Sequence, residues 1–283
     1  MEEDDIRRMV YIEADAMVGN DIFFDIVTVG GTINLMMAAA RAEGLTMIYN
    51  AAKEPHIVDL ANFLNSMGAK VRGAGTDTIS IRGNAHLHRA SYTVIPDQIE
   101  TGTLMIAAAA TRGDVTIYGC IPTHMEALSA KLLEMGVRVS EADDFIRVQP
   151  GTAMRSINFR TAVYPGFPTD LQQPMTALLC TARGASHVQE TIFENRFQHL
   201  LELRKMGADV DINGQNATIR GVPELHGAPV RVTDLRAGAA LVVAGLMAKG
   251  ETEIYETSFI DRGYERIEEK LCHLGADIRR ELI

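Results

Sequence analysis

The chain has 283 residues, of which 47% are hydrophobic and 23% are charged, which is typical of a globular protein with one large domain or two ordinary ones. Its formal net charge of -10 argues against broad electrostatic binding to nucleic acid or to an anionic membrane surface. No run of about 18 apolar residues occurs, and the N-terminal MEEDDIRR is charged where a signal peptide needs an apolar segment, so the sequence predicts a cytoplasmic protein.

One pattern of elements occurs four times along the chain, with corresponding turns about 70 residues apart. Each copy opens with an Ala-rich helix that is predicted to end at a glycine cap: Gly44, Gly113, Gly184 and Gly250. A β-branched strand follows, at 46–49, 115–118, 187–191 and 252–255. A second helix ends at a turn that contains Gly68, Gly136, Gly207 or Gly275. Alternating apolar residues then predict closing strands at 78–82, 145–148 and 217–220.

The two helices of each copy differ in their surfaces. The first is apolar nearly all round, which predicts burial on every side, whereas the second carries charges such as Glu202, Arg204 and Lys205 on one face. This contrast predicts an α/β fold with helices packed inside and sheets outside.

The two ends of the chain depart from the pattern. Residues 10–14 resemble the closing strand of a copy whose helices are missing, and the residues after Gly275 leave room for one closing strand. Either the first strand pairs with the fourth copy, or the chain is a piece of something longer.

The segment YPGFPTDLQQP, at 164–174, places a Thr-Asp pair at the start of a predicted helix. Pro168 restricts Phe167 to extended geometry, so Thr169 or Asp170 is well placed to cap that helix. The other interpretation is that the loop directs the Asp170 carboxylate at a substrate.

Six segments in order resemble the enolpyruvyl transferase family, and within it the members that act on an amino-sugar nucleotide. They are NAAKEP (50–55), PDQIETGT (96–103), FPTDLQ (167–172), ETIFENRF (190–197), TDLRA (233–237) and IDRGYERI (260–267). The family fold consists of six inside-out α/β repeats of about 70 residues, with buried helices and outer mixed sheets. The resemblance implies that four repeats are present. Residues 1–95 would be the last repeat of a first domain, and 96–283 a second domain of three repeats.

The family reaction moves the enolpyruvyl group of phosphoenolpyruvate to the 3-hydroxyl of UDP-N-acetylglucosamine and releases phosphate, the first committed step of peptidoglycan synthesis. The resemblance implies these two small molecules as substrates, with no cofactor and with neither nucleic acid nor membrane as a partner. It also implies the site residues. Asp170 and Arg262 would be catalytic. Phosphoenolpyruvate would be bound by Arg236, Arg262 and Asp234. The UDP-sugar would be bound by Thr28, Val29, Gly30, Asp170, Ile192 and Phe193.

Several of these positions have alternative interpretations. Thr28 is also what an ordinary helix cap looks like, and Ile192 and Phe193 suit a buried strand. Ile26 stands where many family members have a lysine near the nucleotide. By analogy with the family, Glu54 and Arg196 would face its active-site cleft. Two further features predict no metal or disulfide site. His86 and His88 alternate as metal ligands can but lack a completing ligand, and the three cysteines lie far apart.

The main alternatives are a shikimate-pathway enolpyruvyl transferase and a non-catalytic fragment or split half. The resemblance implies that about a third of the enzyme is absent. The absent part includes a Lys-Asn pair and a loop with a cysteine proton donor, so negligible turnover is predicted for the chain alone. The same absence would leave Met36 and Met37 exposed, which predicts self-association or pairing with a separate N-terminal piece.

Overall fold

The structure is a computed structural model that describes residues 2–4, 9–11, 13–14, 16–83 and 86–281. The chain divides into two compact units, Met1–Ile95 and Pro96–Ile283, and each is described by itself. That the first is the last repeat of a larger domain stays a prediction.

The described residues of the first unit form two helices and six strands. In order they are β1 (Glu2–Asp4), β2 (Met9–Tyr11), β3 (Asp21–Phe23), α1 (Val29–Ala39), β4 (Leu45–Tyr49), α2 (Pro55–Ser66), β5 (Lys70–Arg72) and β6 (Thr78–Arg82). The strands β3-β4-β6-β5 form one sheet, in which β3 is parallel to β4 and the other pairs are antiparallel. Alternate residues of this sheet, such as Ile48, Ile79 and Ile81, are buried in a core that they share with α1 and α2. The strand predicted at 10–14 is shorter than expected, because β2 ends at Tyr11 and pairs with β1. Ile12 lies outside the described residues.

The second unit contains three copies of the repeat. The first copy is α3 (Gln98–Ala110), β7 (Val115–Tyr118), a 3₁₀ turn (Pro122–His124), α4 (Glu126–Met135), β8 (Arg138–Glu141) and β9 (Phe145–Gln149). The second is β10 (Phe159–Arg160), α5 (Thr169–Leu179), β11 (Ala185–Gln189), α6 (His199–Lys205), β12 (Asp209–Asn213) and β13 (Asn216–Arg220). The third is β14 (Pro229–Arg231), α7 (Leu235–Met247), β15 (Glu253–Tyr255), α8 (Ser258–Asp261) and α9 (Ile267–His273).

Helices α3, α5 and α7 pack against one another at the centre of this unit. From Leu171 to Leu179 every residue of α5 is buried, as is every residue of α7 from Ala237 to Ala244. The sheets are β7-β9-β8, the mixed sheet β10-β11-β13-β12, and the parallel pair β14-β15. Because the first helix of each repeat is apolar on all sides, it can be covered only by other helices and by its own sheet. The predicted arrangement of inner helices and outer sheets is confirmed.

The turn after the second helix of each repeat is the same in all four copies. Gly68, Gly136, Gly207 and Gly275 all have φ between 90° and 98°. The next residue donates its amide to a carbonyl five residues back, as Ala69 does to Leu64 and Ala208 to Leu203. This is the Schellman motif, which satisfies free helix carbonyls and needs a left-handed residue.

The glycines after the first helices do not cap them, contrary to the prediction. Helix α1 ends at Ala39, and Gly44 (φ 91°) follows a further non-helical turn. That turn brings Glu43 into a parallel bridge with Val18, and equivalent bridges precede Gly184 and Gly250. In α3 the left-handed residue is Arg112 (φ 54°) rather than Gly113. In the other copies, the turn after the helix bridges to a segment that precedes the helix. Residues 86–97, before α3, contain no strand, so the chain after α3 turns without such a bridge.

Two other expectations are wrong. Residues 276–281 form no closing strand, and side-chain ion pairs from Arg279 and Arg280 to Glu251, Asp261 and Glu268 hold this segment instead. Met36 is fully buried because it packs in the core of the first unit, whereas Met37 is 45% exposed.

In the described part of the chain, no helix has the length and apolar character that crossing a membrane requires.

Candidate active site

Asp170 lies in the first turn of α5 and does not cap it. The N-cap residue is Pro168, which makes no side-chain cap bond, and Thr169 is already helical. The carboxylate of Asp170 instead accepts hydrogen bonds from Arg196 Nη2 at 2.6 Å and from Arg236 Nη2 at 2.9 Å. The capping interpretation is therefore wrong, because two guanidinium groups engage the oxygens that a cap would use.

The two arginines control the protonation of Asp170. Burial raises the pKa of this carboxyl group, but the charges and hydrogen bonds of Arg236 and Arg196 outweigh burial and hold the pKa below its ordinary value. The guanidinium groups themselves are largely buried, with 15% of the Arg196 side chain and 14% of the Arg236 side chain exposed. At neutral pH the centre is thus an ionised acid between two permanent cations.

Arg236 is held on its other side by Tyr264. The Arg236 Nη1 atom donates to the Tyr264 hydroxyl at 3.3 Å, and that hydroxyl also bonds Thr103 Oγ1 of α3 at 2.9 Å. Tyr264 is 1% exposed. Burial lowers and the Asp170 charge raises the pKa of Arg236, with a net increase, so its positive charge is secure. A fixed guanidinium of this kind suits bidentate binding of phosphate or carboxylate.

Asp234 is the N-cap residue of α7, a role that was not predicted for it from the sequence. Its Oδ1 atom accepts from the backbone amides of Arg236 and Ala237, both at 2.9 Å. Its Oδ2 atom lies 3.5 Å from Gln173 Nε2 of α5, which links Asp234 to the helix that carries Asp170. The structure therefore brings Asp170, Arg236 and Asp234 together.

Arg262 ends α8 and is exposed. Its side chain makes no hydrogen bond or ion pair with any of the residues that the structure describes. Two residues further along the chain, Tyr264 contacts Arg236. Arg262 thus lies in the same short segment as Tyr264, and its charge is not paired with any of the described residues.

Ile192 and Phe193 follow β11 and are partly exposed, by 39% and 52% respectively. The interpretation that they are buried strand residues is wrong, because the strand ends at Gln189 and they lie in the following loop. The guanidinium of Arg196 stacks on the Phe193 ring, with 4.6 Å between the Arg196 carbon and the ring centroid. An apolar surface therefore borders the charged cluster.

Thr28, Val29 and Gly30 belong to the first unit, where they begin α1. Thr28 is the N-cap residue and accepts from Gly31 N at 3.2 Å, which confirms the capping interpretation of this residue. Gly30 is exposed, and a β-carbon added there would meet no atom within 4 Å. Two other residues of the first unit were singled out from the sequence. Ile26 is 79% exposed, and Glu54, the N-cap residue of α2, has a buried carboxylate oxygen.

Sequence reasoning missed three polar residues that support the cluster: Thr169, Glu190 and Tyr264. Glu190 is 0% exposed and accepts a hydrogen bond from Thr169. Each of the three lies within a segment that carries the family resemblance, but only the folded chain shows what they contact. In the described part of the chain, no three or more His, Cys, Asp or Glu side chains group as a metal site would require.

A family model for EPSP synthase (3-phosphoshikimate 1-carboxyvinyltransferase) matches residues 1–271. UDP-N-acetylglucosamine 1-carboxyvinyltransferase 3 of Caldanaerobacter subterraneus subsp. tengcongensis is 57% identical over 271 residues, which cover 96% of this chain and 65% of that protein. UDP-N-acetylglucosamine 1-carboxyvinyltransferase 2 of Bacillus subtilis is 54% identical over 273 residues, which cover 96% and 64%. The chain thus spans about 65% of the length of curated relatives that it matches.

Solved structures agree with this likeness. The enolpyruvyl transferase NikO from Streptomyces tendae has a TM-score of 0.84 at 28% identity, and the match covers 94% of this chain and 66% of that one. EPSP synthase from Acinetobacter baumannii has a TM-score of 0.74 at 18% identity, which shows a shared fold alone. Since the family model covers nearly the whole chain, this chain belongs to the EPSP synthase family of enolpyruvyl transferases.

Proposed function

We propose that this chain takes part in transferring the enolpyruvyl group of phosphoenolpyruvate to the 3-hydroxyl of UDP-N-acetylglucosamine, with release of phosphate. The observation that carries the proposal is the Asp170 carboxylate held between the buried guanidinium groups of Arg196 and Arg236. Relatives more than 50% identical bear the name of this reaction, which favours an amino-sugar acceptor over shikimate. In this role the chain would serve peptidoglycan synthesis in the cytoplasm.

The phosphoenolpyruvate side of the proposed site consists of Arg236, Arg262 and Asp234. Phosphoenolpyruvate carries a phosphate and a carboxylate, and guanidinium groups bind both without losing their charge. Arg236 also lies in the first turn of α7, where the helix dipole adds partial positive charge. The phosphate that leaves would be stabilised by the same groups.

The sugar side of the proposed site consists of Asp170 and the apolar surface that the loop residues Ile192 and Phe193 form, which we call the Ile192–Phe193 wall. An ionised Asp170 would accept a hydrogen bond from the 3-hydroxyl and orient its oxygen toward the substrate carbon. Because the pKa of Asp170 is lowered, this side chain is a weak base while both arginines contact it. Withdrawal of Arg236 toward phosphoenolpyruvate would raise that pKa and make proton removal easier. Thr28, Val29 and Gly30, in the first unit, are proposed for nucleotide binding on the family resemblance alone.

A second candidate is a protein that binds the two substrates without turning them over. The observation that favours it is the lowered pKa of Asp170, which makes this side chain a weak base while both arginines contact it. Both candidates use the same cluster for binding, so they differ only in turnover.

Two measurements on the full chain separate these candidates. Phosphate release from phosphoenolpyruvate in the presence of UDP-N-acetylglucosamine reports turnover, and isothermal titration with each substrate reports binding. Turnover that depends on both substrates supports the transferase. Binding without turnover supports the second candidate, and absence of both contradicts both.

A further inference from the structure

The sequence Glu-Thr-x-Phe occurs twice, at 190–193 and at 256–259, each time directly after a strand. Glu256 has φ 63° and an exposed carboxylate that pairs with Arg231 at 3.4 Å. Glu190, at the same place in the neighbouring repeat, is 0% exposed. The repeat therefore does not require a buried acid here, and burial of Glu190 needs a local explanation.

The carboxylate of Glu190 is fully engaged by groups that border the candidate site. Its Oε1 atom accepts from Thr161 Oγ1 at 2.8 Å and from the backbone amides of Ile192 at 2.9 Å and Phe193 at 3.2 Å. Its Oε2 atom accepts from Thr169 Oγ1 at 2.9 Å. A buried carboxylate is costly unless hydrogen bonds of this kind compensate the loss of water.

Thr169 connects Glu190 to Arg196. A hydroxyl group has one hydrogen, and Thr169 donates it to Glu190. The lone pairs of Thr169 Oγ1 are therefore free to accept from Arg196 Nη1 at 2.7 Å, while Arg196 Nη2 donates to Asp170. Glu190 thus fixes the direction of the hydroxyl, and the hydroxyl fixes one edge of the guanidinium.

Phe193 connects Glu190 to the face of the same guanidinium. The Phe193 amide donates to Glu190, and its ring lies against Arg196 at 4.6 Å. A single buried acid therefore organises both an edge contact and the face contact of Arg196.

We propose that Glu190 is a positioning residue that fixes Arg196 against Asp170 through Thr169, and that holds the Ile192–Phe193 wall in place for a sugar. The part that concerns the sugar rests on the proposed function. The part that concerns Arg196 and Asp170 does not, and it can be measured in the absence of any substrate.

The direct test is titration of the Asp170 carboxyl carbon by NMR in the full chain. The charged groups near Asp170 are Arg236 at the start of α7, Arg196 before α6, Glu190 through Thr169, and Asp234 through Gln173. Thr169→Val removes the hydroxyl without changing any charge, so loosening of Arg196 should raise the pKa of Asp170 toward its ordinary value. Thr169→Ser and Glu256→Gln should leave that pKa as in the wild type. An unchanged pKa in Thr169→Val, or an equal rise in Glu256→Gln, would overturn the proposal.

Affinity for UDP-N-acetylglucosamine tests the second part. Glu190→Gln keeps the shape of the side chain but directs an amide donor at Thr169 or at the 192–193 turn. A buried group that loses its hydrogen-bond partner weakens an interaction by about 10- to 100-fold, so affinity should fall by that factor, with Glu256→Gln unchanged. Equal affinity in Glu190→Gln and the wild type would overturn this part. If the wild-type chain does not bind the sugar nucleotide, the proposed function fails, and the Asp170 titration still judges the positioning of Arg196.

Discussion

Asp170 illustrates a conflict between two chemical requirements at one residue. Efficient proton removal near neutral pH requires a carboxylate whose pKa is raised. Orienting the hydroxyl requires an ionised carboxylate, and although burial raises the pKa of Asp170, the combined effect of Arg236 and Arg196 exceeds that of burial and lowers this pKa. The two requirements are compatible if one arginine moves to a substrate anion before the proton is removed. Asp170 then orients the hydroxyl first and becomes a better base afterwards.

Local sequence rules alone predicted a helix cap for Asp170, whereas the family resemblance identified it as a site residue. The rule failed because capping depends on what else can satisfy the carboxylate, and both guanidinium groups come from distant segments, at 196 and 236. Glu190 could not be assigned a role for the same reason. Its counterpart Glu256 has the same sequence context but is exposed, so only packing distinguishes the two.

The buried His199 should make the stability of the fold depend on pH. Its ring is fully buried, and burial lowers its pKa to about 3. Because the folded pKa lies below the unfolded value of about 6.5, the unfolded chain takes up a proton first as the pH falls. The contribution of His199 to the free energy of unfolding is therefore at its maximum above about pH 6.5. As the pH falls from about 6.5 to about 3, the free energy of unfolding decreases by about 1.4 kcal/mol per pH unit.

His199→Gln should flatten this dependence, because glutamine cannot titrate. The measurement is the free energy of unfolding by urea at several values between pH 7 and pH 4. His187→Gln is the matched control, since His187 lies exposed on β11 and the wild-type slope should persist. The same slope in His199→Gln as in the wild type would show that another group is responsible.

At the scale of the elements, the repeat predicted which segments are helices and strands. Strands β7 and β6 have the predicted bounds, and β11 begins two residues earlier than expected, directly after Gly184. The predicted glycine caps were less accurate, because α1, α5 and α7 are followed by an extra turn that bridges to the preceding segment. Such bridges depend on contacts between segments distant in sequence, which a local pattern does not contain.

The glycines after α3 and α7 occupy the same place in the sequence pattern but differ in backbone conformation, so their substitution by alanine should have different effects on stability. Gly250 has φ 91°, and a β-carbon added there would meet open space, so Gly250→Ala should cost about 1–2 kcal/mol from backbone conformation alone. Gly113 lies outside the left-handed region, and a β-carbon there would meet Thr111 Oγ1 at 3.4 Å. Gly113→Ala should therefore change the free energy of unfolding by less than about 1 kcal/mol. Equal losses for both variants in chemical denaturation would contradict this assignment.

At the scale of the whole molecule, the sequence predicted the fold because six segments and a fourfold repeat indicate the same family. The sequence also predicted that the first helix of the first copy would leave Met36 and Met37 exposed, but only Met37 is exposed and Met36 is buried. Helix α1 buries only Thr32, Met36 and Ala39, whereas α3, α5 and α7 bury most of their residues. Self-association or pairing with a separate N-terminal piece stays a prediction, and the exposed Met37 is the residue that motivates it.

In the proposed function, Arg236, which lies beside Asp170, binds the anionic substrate. The most direct test is the affinity of the full chain for phosphoenolpyruvate, measured calorimetrically with UDP-N-acetylglucosamine present, in the wild type, Arg236→Gln and Arg220→Gln. Arg220 is the matched control, because it also pairs with two carboxylates, Asp209 and Asp211, but is exposed on β13. A lost charge-assisted hydrogen bond is worth about 1.5–3 kcal/mol, so Arg236→Gln should bind about 10- to 100-fold more weakly while Arg220→Gln binds as the wild type does. Wild-type affinity in Arg236→Gln, or no binding by the wild type, would contradict this role of Arg236.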